Sequence, residues 1–221
     1  MRYINIRAAF LALAFLVFVG AQAYDTGLSS QAIREAYFLG QRNDEKTAVF
    51  LSQYVQPLPL PKSGPHVSEI EMLTPYAQAV QHSMRRTAGY SAQRAEKEYR
   101  KQRDTLRVRV QIRFTPTYAL QAAVSSSRKA TGNSGIRLRA EDFWRDFTFR
   151  LTQQQGGEER VLEPFDVWSE PYYSGRGFVL AGAQVWLLFD AADVTSDPVK
   201  IEVLAPDGQR FTAEFNLSKL R

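Results

Sequence analysis

Residues 106–114 run Leu-Arg-Val-Arg-Val-Gln-Ile-Arg-Phe, apolar and polar in strict alternation. A period of two over nine residues is the pattern of a β-strand with one face in a core and the other toward water. Leu106, Val108, Val110, Ile112 and Phe114 are expected to face that core, with Arg107, Arg109 and Arg113 on the opposite side.

Further strand signals surround this one. Residues 67–74 are β-biased and end at Pro75, and residues 76–83 are expected to continue the strand after a kink. Residues 143–152 and 160–168 flank a Gln-rich turn with Gly156-Gly157 and read as a hairpin. Residues 178–189 are apolar and rich in β-branched and aromatic types, giving one central strand or two joined near Gly182. Residues 199–204 and 210–217 flank Pro206-Asp207-Gly208, where proline presets φ and glycine supplies a positive φ. A Ser/Ala/Gly-rich stretch at 115–135 reads as a long loop.

The start of the chain is different. Ser29 or Ser30 is placed to cap a helix through Arg42, with Ile33, Tyr37 and Gly40/Gln41 on one face and Ala36 and Phe38/Leu39 widening it, and Asp44 to cap a second short one. Pro57, Pro59 and Pro61 then impose a stiff polyproline II connector. Residues 91–104 are polar and helix-favouring. The expected fold class is mainly β: an antiparallel β-sandwich with a helical N-terminal segment and one helical insertion. Residues 178–217, an apolar strand, a short polar crossover and a Pro-Asp-Gly hairpin, resemble the immunoglobulin-like or fibronectin-like sandwiches. The resemblance is one of layout and implies an architecture, on which many functions are known to sit.

Residues 1–23 have the make-up of a secretory signal peptide. Arg2 and Arg7 precede an apolar run at 8–19, and Gly20-Ala21-Gln22-Ala23 ends in a small-x-small pattern. Twelve apolar residues are short of the about 20 that a relaxed membrane-spanning helix needs. The divisions expected are thus a signal at 1–23, a helical segment and connector at 24–65, and a β-sandwich domain at 66–221. With no cysteine in the chain, disulfides, thiol catalysis and lipid attachment through cysteine are excluded. An exported chain without cysteine fits a periplasmic or secreted protein of a bacterial envelope.

The net charge of +5 conceals a segregation. Between Arg85 and Arg139 stand fourteen Lys or Arg against Glu96, Glu98 and Asp104, so the rest of the mature chain is acidic.

No catalytic constellation emerges. His66 and His82 have no metal-ligand spacing and read as ordinary surface or edge histidines. Serines and glycines form neither a nucleophile elbow nor a phosphate-cradling loop. Glu69 and Glu71 share a strand face, and Glu158-Glu159, Glu163 and Glu170 add further acids, but nothing sets them apart from solvated carboxylates. Asp190, Asp193 and Asp197 read as caps and turn formers rather than a calcium loop. No catalytic residue, metal or cofactor is assigned.

Two features stand above this background. Trp168, Tyr172, Tyr173 and Arg176 lie where Pro171, Gly175 and Gly177 favour a loop, and exposed aromatic rings stack on sugars or anchor partners. Arg100, Lys101, Arg103, Arg107, Arg109 and Arg113 form a basic stripe suited to phosphate and carboxylate. The expectation is a non-enzymatic envelope or extracellular binding or scaffolding protein. Its partner would be a lipid headgroup, an acidic polysaccharide or an envelope protein rather than nucleic acid, with no transmembrane segment after signal cleavage. A periplasmic hydrolase acting on carbohydrate or peptide is the alternative.

Overall fold

A computed structural model describes residues 24, 26–61, 64–86, 89–115, 141–174 and 179–221. Residues 1–23, expected to be a signal peptide, most of residues 115–135, expected to be a loop, and Arg176 lie outside the described residues. Helix α1 (Ser30–Arg42) begins at Ser29, whose Oγ accepts from the Ala32 amide at 3.1 Å, and stops at Asn43 in the left-handed region. Helix α2 (Glu45–Ser52) begins at Asp44, whose Oδ1 accepts from the Thr47 amide at 3.1 Å. Both starts fall on the capping residues that the sequence offers.

The proline-rich connector is partly strand. β1 (Val55–Pro57) pairs with β2 (Pro65–Leu73), and residues 58–61 have no regular structure. The expected strand at 76–83 is instead helix α3 (Pro75–Met84). Thr74 accepts from the Ala77 amide and Pro75 occupies the first turn, so Thr-Pro is a helix start here and not a strand kink. Tyr76, Ala77 and Val80 then fall on one buried helical face. Ser91 caps α4 (Ala92–Tyr99), the expected helical insertion.

β3 (Thr105–Phe114) is the central strand, with Leu106, Val108, Val110 and Ile112 fully buried and Phe114 partly so. β4 (Thr148–Gln155) and β5 (Glu158–Leu162) form the hairpin around Gly156-Gly157. The strand expected at 160–168 is divided between two sheets. β5 ends before Pro164, and β6 (Asp166–Ser174) starts in the other sheet and runs through the stretch expected to be a loop. Pro171 is tolerated because β6 is the outermost strand of its sheet among the described residues. β7 (Val179–Asp190) is one strand, not two. β8 (Pro198–Leu204) and β9 (Arg210–Asn216) flank the Pro-Asp-Gly turn.

The described residues are mainly β, with two antiparallel sheets ordered β1-β2-β3-β7-β6 and β5-β4-β8-β9, and four α-helices. One apolar cluster draws on both sheets, including Val110, Ile112, Val185 and Leu187 from the first and Leu151, Ile201 and Phe215 from the second. A second cluster unites Ile33 and Ala36 of α1 with Tyr76 and Val80 of α3, Ala95 of α4 and Tyr90 just ahead of it. None of the described helices is long and apolar enough to cross a membrane.

Candidate functional site

Side chains directly opposite one another in an antiparallel pair share a face. The residues of β3 that alternate with its core positions are therefore joined by neighbours on three other strands. One row runs Glu71, Arg109, Trp186, Trp168 across β2, β3, β7 and β6. A second runs His66, Arg113, Gly182, Tyr172. The arginine stripe and the aromatic segment, separate features in the sequence, thus lie on one face of the five-stranded sheet.

The aromatic centre of that face is a pair of indoles. Trp168 and Trp186 stack with centroids 6.0 Å apart and planes 15° from parallel. Arg107 and Arg109 stand over the Trp186 ring at 5.9 and 5.7 Å, and Arg113 over Tyr172 at 5.7 Å. These distances are within the range of cation–π attraction. Gly182, between Arg113 and Tyr172, has no room for a side chain, since a Cβ would strike the Ile112 carbonyl.

The three arginines differ in their company. Arg109 donates from Nε to Glu71 at 2.7 Å and from an Nη to Glu69 at 2.8 Å. Glu71, itself 5% exposed, also accepts from the Gln81 amide at 3.1 Å. The two acids are thus committed to one guanidinium. Arg113 reaches the Gln111 amide oxygen when that amide is oriented to donate to Glu69. Arg107 is half-buried, and its Nε is buried without a hydrogen-bond partner. Burial first, then the nearby Arg85 charge, lower its pKa, with Glu71 opposing. No carboxylate among the described residues pairs with Arg107 or Arg113.

The other basic candidates lie off this face. Arg100 approaches Glu96 at 3.8 Å and stands over Tyr99, while Arg103 pairs with Asp190 and stands over Phe165 at 4.8 Å. Lys101 is exposed. Tyr173 lies opposite Leu180, past a bulge in β7, and its hydroxyl donates to Glu141. Trp186 was not singled out by the sequence reading. Its signal was parity: it alternates with the core residues Val185 and Leu187, so it belongs to the outer face.

The histidines depart from expectation in part. His66 is buried at 4% exposure, with both ring nitrogens lacking a hydrogen-bond partner, because β2 is covered on both faces. His82 lies on α3 in a polar cluster centred on Glu98, which accepts from Tyr90 at 3.1 Å and Arg94 at 3.0 Å and lies 3.1 Å from the His82 Nε2. With His82 first and Arg94 next as hydrogen-bond donors, the Glu98 carboxyl is pulled down to about 2. Asp190 caps a short turn by accepting from the Ala192 amide, and Asp197 accepts from Thr195.

Beside Arg107 the face meets a cavity of about 120 Å³, walled by α3, α4 and the start of β3. No group of His, Asp or Glu among the described residues is arranged to hold a metal ion. Comparison with protein-family models, curated proteins and solved structures found no match.

Proposed function

We propose that this is an exported, non-enzymatic binding or scaffolding protein of a bacterial envelope or its exterior, and that the outer face of its five-stranded sheet binds an acidic polysaccharide. The carrying observation is one face that joins stacked indoles, with Arg107 over Trp186, to Arg113 over Tyr172, two cations that no described carboxylate neutralises. Aromatic faces stack on sugar rings, and guanidinium forks suit the carboxylates or phosphates such sugars bear. Export rests on the signal-like residues 1–23. The immunoglobulin-like or fibronectin-like sandwich is the architecture we propose for the sheets, supported by the apolar cluster they share. The hydrolase alternative lacks support at Glu69 and Glu71, since Arg109 holds both.

Retention on an immobilised acidic polysaccharide tests the reading. The wild type is expected to bind at low salt and to elute as salt rises, because screening acts within roughly 10 Å at 0.1 M. The Arg113→Ser, Trp168→Ala, Tyr172→Ala variant should lose about tenfold or more in affinity, each contact contributing on the order of 1 kcal/mol, with its melting transition retained. Equal retention of wild type and variant overturns the proposal. Sedimentation of the wild type with anionic vesicles, without retention on polysaccharide, moves the partner to a lipid surface instead.

A further inference from the structure

We infer that the cavity between α3, α4 and the start of β3 is a binding site for a phosphate-sized oxyanion, held by Arg85 and Arg107. The inference stands independently of the sheet-face reading, with which it shares only Arg107.

The argument is one of uncompensated charge in a formed space. The cavity, about 120 Å³, is several times what a water molecule needs. Each acid around it is already engaged. Glu98 accepts from Tyr90 and Arg94 and contacts His82. Asp104 accepts from the Gly27 amide at 2.6 Å. Glu71, close to Arg107, is bound by Arg109 and Gln81. Among the lining cations Arg103 is taken by Asp190, whereas Arg85 and Arg107 pair with no described acid. These two stand near enough for the charge of one to disfavour the charge of the other. Arg107 is half-buried with an idle Nε–H.

A half-buried guanidinium beside a second, exposed one is held at a cost that an anion between them offsets. Gln78 does not supply one: its amide nitrogen donates to the Leu73 and Thr105 carbonyls at 3.0 and 2.6 Å, fixing the wall. A tetrahedral oxyanion with close to two negative charges matches two guanidinium forks in both charge and geometry. Such a group is present in inorganic phosphate and at the end of a phosphate monoester.

The test is titration of the folded full chain with inorganic phosphate, followed by calorimetry and ³¹P line width, at ionic strength held constant with chloride. One saturable site is expected, with affinity lowered about tenfold or more in Arg85→Ala, in line with loss of a hydrogen-bonded charge. Arg85 is exposed at the end of α3, so the variant keeps its fold, and Arg113→Ser on the sheet face should bind phosphate as wild type does. Glycerol phosphate competing for the site identifies a monoester end as acceptable; failure to compete restricts the site to the free ion. Absence of saturation at tens of millimolar phosphate, equal displacement by chloride, or undiminished binding by Arg85→Ala overturns the inference. Because retention on polysaccharide is read separately, either proposal can fail while the other stands.

Discussion

His66 sits in β2 with both ring nitrogens buried and unpartnered, so its charged form meets a double penalty. Burial is the first cause of its lowered pKa and the Arg113 guanidinium the second. In the unfolded chain the group titrates near 6.5. Below that pH the unfolded state takes up a proton that the folded state resists, so stability is full above pH 6.5 and falls as the solution is acidified. The loss from this one group is at most about 1.4 kcal/mol per pH unit. Urea titrations at pH 7.5 and 5.5 should show it, and His66→Leu should reduce the difference; an unchanged difference would assign the acid sensitivity elsewhere. The spacing of residues could not expose this burial, because a histidine between a proline and a valine reads equally well at an edge. The inward set of Leu106, Val108, Val110 and Ile112 was plain in the sequence, since alternation alone decides it. The ion pairs of Arg109 were not plain, because register with β2 decides which acids lie opposite.

At the scale of elements, the crossing of α1 and α3 turns on Gly40. A Cβ there would collide with the Val80 carbonyl oxygen and the Ser83 side chain, and the Gln41 amide beside it donates to the Ser83 carbonyl at 2.5 Å. The two helices approach closely because that Cβ is absent. Gly40→Ala is expected to force them apart and to cost about 1–3 kcal/mol, against the slight gain alanine brings to an exposed helix site. Urea unfolding followed by far-ultraviolet circular dichroism measures it, and a stabilised variant would refute the tight crossing. Element starts were legible where one residue carries the mechanism: Ser29 and Asp44 as caps, Pro206-Asp207-Gly208 as a turn. They were misread where a residue has two uses. Pro75 opens α3 as readily as it would kink a strand, and Pro171 sits in an outer strand as readily as in a loop. Half of the candidate site followed from this, since β6 as a loop would not have brought Trp168 beside Trp186.

For the whole molecule, the relation between the two apolar clusters is decisive, and Phe50 packs against both. Its ring lies 5.1 Å from Tyr54 of the sheet cluster and 5.7 Å from Tyr76 of the helical one. Arg221 adds a polar tie, standing 4.3 Å over Tyr76, pairing with Glu35 and accepting through its carbonyl from Tyr54. Phe50→Ala should cost on the order of 3 kcal/mol and weaken this coupling. Trp144, Trp168 and Trp186 all belong to the β portion, so thermal unfolding read by tryptophan fluorescence should separate from that read by helical dichroism. Coincident transitions in the variant would show that the two clusters are joined elsewhere. Among the described residues, part of the charge segregation seen in the sequence is paired with near neighbours, at Arg94 with Glu98, Arg100 with Glu96 and Arg109 with Glu69 and Glu71. Only Arg103 reaches a C-terminal acid, Asp190, among the basic candidates, because strand and helix neighbours compete first. The proline in β6, outermost in its sheet among the described residues, has a consequence of its own. A sheet that ends in a regular strand invites further strands to add from neighbouring chains, the route to fibrous aggregates. Pro171 withholds an amide from such a template. The strand that displays the aromatic side chains is thereby made a poorer seed for polymerisation.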